Sequence, residues 1–165
     1  MCTHPDPRAQ LSCVVVSVLI ARLMKGEEVK TEEELLEVVD EAVKFVDEKN
    51  EDKIDLEHLN SFLLVDSFDE LDLGDDQDMG YTYRTLGAAL LCFRKYLKGE
   101  PFEDLLGRLI VSGGDADTNC CVTGAIIGGY LGFSGLSKTL MARLPYFNFL
   151  IDEAARLWNS INQKV

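Results

Sequence analysis

The sequence predicts an all-α fold in which about seven helices surround a single core. Apolar residues recur at helical spacing along most of the chain, and several of these runs have a capping residue before them or a glycine after them. No segment shows the alternation of apolar and polar residues that indicates a half-buried strand. The chain has 165 residues, of which 47% are hydrophobic, and we expect one domain over residues 1–165.

The first part of the chain carries two strong helix signals. Asp6 and Pro7 supply an N-cap and a first-turn proline for a helix that Gly26 ends. This helix is apolar nearly all round, so we expect it to be central. Thr31 and Glu34 then form a capping box ahead of a second, amphipathic helix with its acidic residues outward.

One acidic loop interrupts the helical pattern. Residues 66–80 carry seven acidic residues and two glycines, which predicts an exposed loop. Within the last helix, Phe147, Phe149 and Trp158 are interpreted as core anchors. Helices are predicted over residues 55–65, 81–98, 101–111, 118–130 and 145–163.

Acidic residues dominate the charge of the chain. The formal net charge is −13, which excludes a nucleic-acid binder that works by neutralising phosphates. Between Glu27 and Asp78 lie 21 of the 29 acidic residues, so we expect this region to form a solvated face and loop. The flanks are slightly basic and could accept an anionic small molecule.

The cysteines and the hydropathy indicate the cellular compartment of the protein. Five cysteines with no C-x-x-C pair are interpreted as reduced core thiols, so we expect a cytoplasmic or nuclear protein. The longest apolar stretch, residues 11–21, is shorter than the roughly 18 residues of a membrane span, so no membrane partner is expected. Asp6, two prolines and the lack of a small-residue cleavage site argue against a secretory signal.

The most informative motif is S-G-G-D-A-D-T-N over residues 112–119. Its glycines allow a sharp turn and a close approach to a ligand, so the carboxylates of Asp115 and Asp117 can converge on one point. Thr118 adds a hydroxyl at the start of a helix. These oxygens are the ligands that Mg²⁺, Mn²⁺ or Ca²⁺ prefers. An EF-hand is excluded, because Cys120 stands where its loop needs glycine.

A simpler interpretation is that one of these aspartates only caps the helix while the glycines form a turn. The residues that follow favour a rigid binding site over a simple helix cap. Gly124, Gly128 and Gly132 recur at a spacing of four, which leaves one helix face almost without side chains. We expect a neighbouring helix to pack closely on that face and to hold the aspartates rigidly.

Three blocks of the chain resemble the ADP-ribosylglycohydrolase family. The segment G-G-D-A-D-T-N over residues 113–119, followed by G-A-I-I-G over 124–128, is similar to the family's C-terminal signature. T-H-P-D-P-R over 3–8 resembles its T-H-x-D-P segment. G-Y over 80–81 with L-G-A-A-L over 86–90 resembles its G-Y…L-x-x-A-L helix. The order and the spacing of the blocks also agree.

The resemblance implies an all-α orthogonal bundle of the ADP-ribosylglycohydrolase type, with a two-metal site for Mg²⁺ or Mn²⁺. It implies that ADP-ribose, or a substrate carrying it, is hydrolysed at the glycosidic bond of its ribose. Asp115, Asp117 and Thr118 match metal ligands of the family. The candidate substrate-binding residues are His4, Gly80, Tyr81, Gly113 and Gly114.

The chain also departs from the family. The N-terminal half of family members carries a G-D-x-x-G segment and a T-D-D-T-like motif with the remaining metal ligands, and this sequence contains neither. Each hard cation needs about six oxygens, so three protein ligands cannot complete two metal shells. We therefore expect a truncated family fold with little or no hydrolase activity alone, and no catalytic residue is assigned.

Three functions stay open. The chain could be the C-terminal half of a Mg²⁺-dependent hydrolase that works with a partner chain or segment supplying the N-terminal half. It could be a catalytically inactive module that binds ADP-ribose. It could also be an all-α protein-interaction domain whose acidic face docks a basic partner. The sequence does not specify which ADP-ribose linkage would be cleaved.

Overall fold

A computed structural model of the protein describes residues 4–27 and 29–162, and this part of the chain contains no strand. The all-α prediction is therefore confirmed. A short 3₁₀ turn, Asp69–Leu71, lies in the acidic loop. The α-helices are α1 (Pro7–Met24), α2 (Glu32–Lys49), α3 (Leu56–Leu63), α4 (Thr82–Leu97), α5 (Phe102–Val111), α6 (Ala116–Gly135), α7 (Lys138–Arg143) and α8 (Phe147–Asn162).

The chain divides into two compact units, Met1–Tyr130 and Leu131–Val165. The single domain expected over residues 1–165 stays a prediction. In the second unit, Phe149 and Trp158 are 60% and 63% exposed, so their interpretation as core anchors is wrong. A unit this short has little surface with which to bury large side chains. The end expected for its last helix, Gln163, lies outside the described residues.

Helix α4 is the centre of the first unit. It packs against α1, α3 and α5, and its middle residues from Leu86 to Arg94 are all buried. Helix α1 instead packs through one face, on α2 and α4. The expectation that α1 is central is therefore wrong. Its opposite face, which includes the exposed Cys13 and Ser17, does not enter the core.

Helix α1 has the length and composition of a membrane span, and no other helix in the described residues does. The mean hydropathy of its 18 residues is 1.4, and 28% of them are buried. Core helices and signal sequences share these properties. The absence of a membrane partner stays a prediction.

The local helix signals are confirmed in detail. The Asp6 carboxylate accepts a hydrogen bond from the Arg8 N–H at 2.8 Å and so caps α1. The Thr31 hydroxyl accepts from the Glu34 N–H at 3.2 Å, and the Glu34 carboxylate accepts from the Thr31 N–H at 3.3 Å. These bonds satisfy backbone donors that the first turn of a helix leaves without intrahelical partners.

The acidic loop is less exposed than predicted. Six of its seven acidic residues are exposed, but Leu71 and Leu73 are only 1% and 2% exposed. These two leucines anchor the loop in the core of the first unit. The loop therefore has a fixed position, which matters because it lies against the residues that precede Asp115.

A buried arginine fixes α4 to two other parts of the first unit. Arg94 is 4% exposed, and its Nη1 donates to Glu32 Oε1 at 2.6 Å, at the start of α2. Its Nη2 donates to the backbone carbonyl of Val65. These charge-assisted bonds hold α2 and the segment after α3 against the central helix.

The cysteines within the described residues are free thiols, as expected. Only Cys92 is buried, and its burial raises the pKa of the thiol to about 12. Cys13 and Cys121 are exposed, so the expectation that the cysteines pack in the core is wrong for them. Cys2 lies outside the described residues.

Candidate functional site

The N-terminal parts of α1, α4 and α6 surround a cleft of about 630 Å³ in the first unit. Val16, Leu86 and Val122 give it an apolar wall. Five of the eight candidate site residues line it, although they come from distant parts of the sequence. They are His4, Gly80, Tyr81, Asp115 and Thr118.

The start of α6 brings the candidate metal ligands together. The Thr118 hydroxyl donates to Asp115 Oδ1 at 2.9 Å, and the Thr118 N–H donates to Asp117 Oδ1 at 3.0 Å. A hydrogen bond with the Asp115 carboxyl, together with that N–H, holds the pKa of Asp117 below its ordinary value. Thr118 thus donates one hydrogen bond to each of the two carboxylates.

The chemistry of this donor set fits a hard divalent cation. Two carboxylates and a hydroxyl offer oxygen ligands of the kind that Mg²⁺ binds. Among the described residues, however, no group of three or more His, Cys, Asp or Glu side chains is placed to hold a metal ion. Asp115 and Thr118 line the cleft and Asp117 does not, so the chain presents only a partial set of ligands on one side of the cleft.

Gly113 and Gly114 shape the turn before these ligands. Both have positive φ, 77° and 66°, a region that favours glycine. A Cβ atom on Gly114 would lie 1.8 Å from the carbonyl oxygen of Leu73. The two glycines are not among the residues that line the cleft. Their substrate contact stays a prediction, and their visible role is to seat Asp115 against the acidic loop.

Tyr81 is held in place from two directions. His58 Nε2 lies 2.8 Å from the Tyr81 hydroxyl. The Arg8 guanidinium lies 5.7 Å from the centre of the Tyr81 ring, a cation–π distance. Arg8 is itself fixed by Asp6, whose pKa it lowers to about 2. His58 is exposed, and no local motif in the sequence indicates its bond to Tyr81.

One hydrogen bond between α4 and α6 was missed by the sequence analysis. The Thr85 hydroxyl donates to Asn119 Oδ1 at 2.8 Å, and Asn119 is only 1% exposed. Thr85 also lines the cleft. Their positions in the sequence could have indicated it. Thr85 lies one turn after Tyr81, and Asn119 directly follows Thr118.

The glycine face of α6 is only partly covered. A Cβ atom on Gly129 would meet the side chain of Leu23 at 3.7 Å, an ordinary packing distance. A Cβ atom on Gly124 would meet nothing within 4 Å. The expected close approach of a neighbouring helix is therefore wrong at Gly124, and it is also wrong at Gly132, where a Cβ atom would meet nothing within 4 Å.

The sequence was compared with known proteins. It matches the family model described as ADP-ribosylglycohydrolase over residues 1–164, nearly the whole chain. No curated protein and no solved structure matches it. The resemblance seen in three separate blocks thus extends across the cleft and the helices around it. The chain belongs to the ADP-ribosylglycohydrolase family.

Proposed function

We propose that this chain binds ADP-ribose in the cleft and forms one side of a Mg²⁺-dependent site for hydrolysis of its glycosidic bond. One observation carries the proposal: His4, Tyr81, Asp115 and Thr118 line the same cleft. Its volume of about 630 Å³ lies in the range of roughly 300–1,000 Å³ that is typical of small-molecule sites.

Each part of the cleft has a distinct task in this proposal. The held ring of Tyr81 and the side chain of His4 contact the nucleotide, and the apolar wall limits the access of water. Asp115 and Thr118, together with Asp117 in the same helix turn, would hold the cation. When bound, that cation would neutralise charge and orient the attacking water. The bond between Thr85 and Asn119 keeps the first turn of α6 at a fixed distance from α4.

The carboxylates that line the cleft do not supply a suitable general base. They belong to Asp6 and Asp115. Asp6 is paired with Arg8 and has a pKa of about 2, too low for efficient proton transfer near neutral pH. Asp115 is assigned to the cation. We therefore propose that a further segment or a second chain supplies the base and the remaining metal ligands.

A second candidate function is binding without hydrolysis. The lack of a free carboxylate base in the cleft supports it, because a cleft that positions the nucleotide but activates no water would act as an ADP-ribose-binding module. For either function we propose a reducing compartment, cytoplasmic or nuclear, which the free thiols of the described cysteines support.

The direct test is calorimetric titration of ADP-ribose into the purified chain at saturating Mg²⁺. We expect binding by the unaltered chain and a loss of affinity of about tenfold or more in Asp115→Ala, since a cation ligand is removed. Asp104→Ala is the matched control, because Asp104 is an exposed aspartate of α5 outside the cleft. No heat with the unaltered chain would contradict the proposal.

Release of ADP-ribose from a modified protein separates the two candidates. The chain alone is expected to release none above background under either proposal. If addition of a polypeptide carrying the family's N-terminal motifs restores release, the chain is one side of an enzyme. Hydrolysis by the chain alone, at the rate of a family member that carries both halves, would show that the proposed incompleteness is wrong.

A further inference from the structure

A second hollow, of about 410 Å³, adjoins the cleft. Arg8 and Tyr81 line both spaces, so the two are neighbours. Nothing in the proposed function uses the other residues of the hollow. These are His58 and Phe62 from α3, Asp78 from the acidic loop and Arg84 from the first turn of α4.

Arg84 is the residue of this hollow that indicates a ligand-binding site. The residue is 9% exposed, and its Nη2 donates to Asp75 Oδ2 at 3.0 Å. Its Nε and Nη1 atoms are buried and have no hydrogen-bond partner among the described residues. Buried charged donors are rarely left without acceptors, because water has been removed and nothing replaces it. Each free N–H of a guanidinium group can donate a strong hydrogen bond to an oxygen of a carboxylate or phosphate.

The remaining residues favour a compact anion with several oxygens. Arg8 brings a second guanidinium, of which Asp6 occupies the Nε and Nη2 donors. The His58 ring and the Tyr81 hydroxyl, 2.8 Å apart, add polar groups that can donate or accept. Asp78 is the single carboxylate that lines the hollow, and it is exposed to solvent. Attraction for an anion therefore comes from aimed donors and not from net charge.

We propose that this hollow is an oxyanion subsite that takes a phosphate group, with Arg84 as the main donor and Arg8 as the second. The phosphate has two sources of the same chemistry. It belongs either to the diphosphate of ADP-ribose itself or to a separate phosphate on the modified substrate. Assigning the phosphate to ADP-ribose or to the modified substrate depends on the proposed function. The existence of the subsite does not depend on it.

Inorganic phosphate is the probe that tests the subsite without Mg²⁺ or ADP-ribose. The Nε–H resonance of Arg84, assigned by its loss in Arg84→Gln, is followed by NMR during a phosphate titration at constant ionic strength. We expect a saturable shift of that resonance. The affinity for phosphate is measured in both proteins from the shifts of backbone amides around the hollow. We expect it to be about tenfold or more lower in Arg84→Gln. Arg108→Gln is the matched control, because Arg108 pairs with Glu100 outside this hollow.

A second variant keeps the test decisive if Arg84→Gln fails to fold. Asp78→Asn removes a like charge from the lining of the hollow, and its exposed position makes the fold insensitive to the change. We expect phosphate to bind about two- to fivefold more tightly in this variant. Asp76→Asn, an exposed loop aspartate that does not line the hollow, is its control and should not alter binding.

Competition identifies the source of the phosphate. If ADP-ribose displaces inorganic phosphate from Arg84, the subsite holds the diphosphate of ADP-ribose. If both bind together, it holds a separate phosphate of the substrate. The proposal is overturned if phosphate gives no saturable shift at Arg84, or if folded Arg84→Gln binds phosphate as tightly as the unaltered chain does. Failure of ADP-ribose to bind while phosphate still does would count against the proposed function alone.

Discussion

Gly114 determines where the candidate metal ligands lie. Its φ of 66° is strained for any other residue, and an added Cβ atom would lie 1.8 Å from a backbone oxygen that cannot move aside. We expect Gly114→Ala to lower the free energy of unfolding by about 2 kcal/mol or more. Because the displaced turn carries Asp115, Mg²⁺-dependent ADP-ribose binding should fall as well. Urea unfolding and calorimetry measure the two effects.

Gly124→Ala is the control for that prediction. Gly124 lies within α6 and has open space where a Cβ atom would go. Alanine has the higher helix propensity, so this variant should be unchanged or more stable by about 0.5–1 kcal/mol. Equal destabilisation of both variants would show that the contact with Leu73 does not distinguish the two glycines.

Some residues of the site are placed by neighbours in the sequence, and others by partners that are distant in the sequence. Asp115, Asp117 and Thr118 could be predicted from the sequence because they lie within one turn of each other and their chemistry is visible in the motif. Thr85 and His58 could not. Their partners lie 34 and 23 positions away, and only the packing of α3, α4 and α6 brings them together.

The sequence allowed the ends of the first two helices to be predicted, but not which face of a helix is buried. The caps of α1 and α2 depend on hydrogen bonds across two or three residues, so local sequence specifies them. The composition of α1 cannot specify which apolar face is covered. The buried Leu71 and Leu73 likewise escaped notice within a strongly acidic loop, because two isolated leucines have no periodicity.

The contact between α2 and α4 predicts a pH dependence of stability. Arg94, aided by Lys98, holds the pKa of the Glu32 carboxyl below its ordinary value of 4.5. A depressed pKa means that the pair stabilises the fold above pH 4.5 and that this contribution is lost as the pH falls through the folded-state pKa. We expect Glu32→Gln to be less stable than the unaltered chain at pH 7, with the difference shrinking toward pH 3.

Denaturant unfolding at a series of pH values measures this difference. Glu33→Gln is the control, since Glu33 is an exposed neighbour in the same helix turn and makes no bond to Arg94. A difference between Glu32→Gln and the unaltered chain that stays constant from pH 7 to pH 3 would show that the ion pair does not contribute to stability.

For the whole molecule, charge is the dominant property. The net charge is −13, and most of the acidic residues are concentrated in one stretch with four lysines. Repulsion among them opposes the compact state, and salt screens it with a Debye length of about 10 Å at 0.1 M. We expect Tm to rise by a few degrees between about 10 mM and 300 mM NaCl. Thermal denaturation in NaCl and in choline chloride tests this.

The two salts distinguish screening from specific binding. Equal increases in Tm would identify general screening, whereas an increase with Na⁺ alone would indicate a cation site. A fall in Tm with added salt would mean that ion pairs such as Arg94 with Glu32 outweigh the repulsion.

The division into two units also separates the aromatic residues that report on folding. The single tryptophan, Trp158, belongs to the second unit, while Tyr81, Tyr83, Tyr96 and Tyr130 belong to the first. Tryptophan fluorescence therefore records only the Leu131–Val165 part of the chain, and near-ultraviolet circular dichroism of tyrosine records mainly the part that contains the cleft. Two optical signals from the unaltered protein are enough to show whether the units unfold together or one after the other.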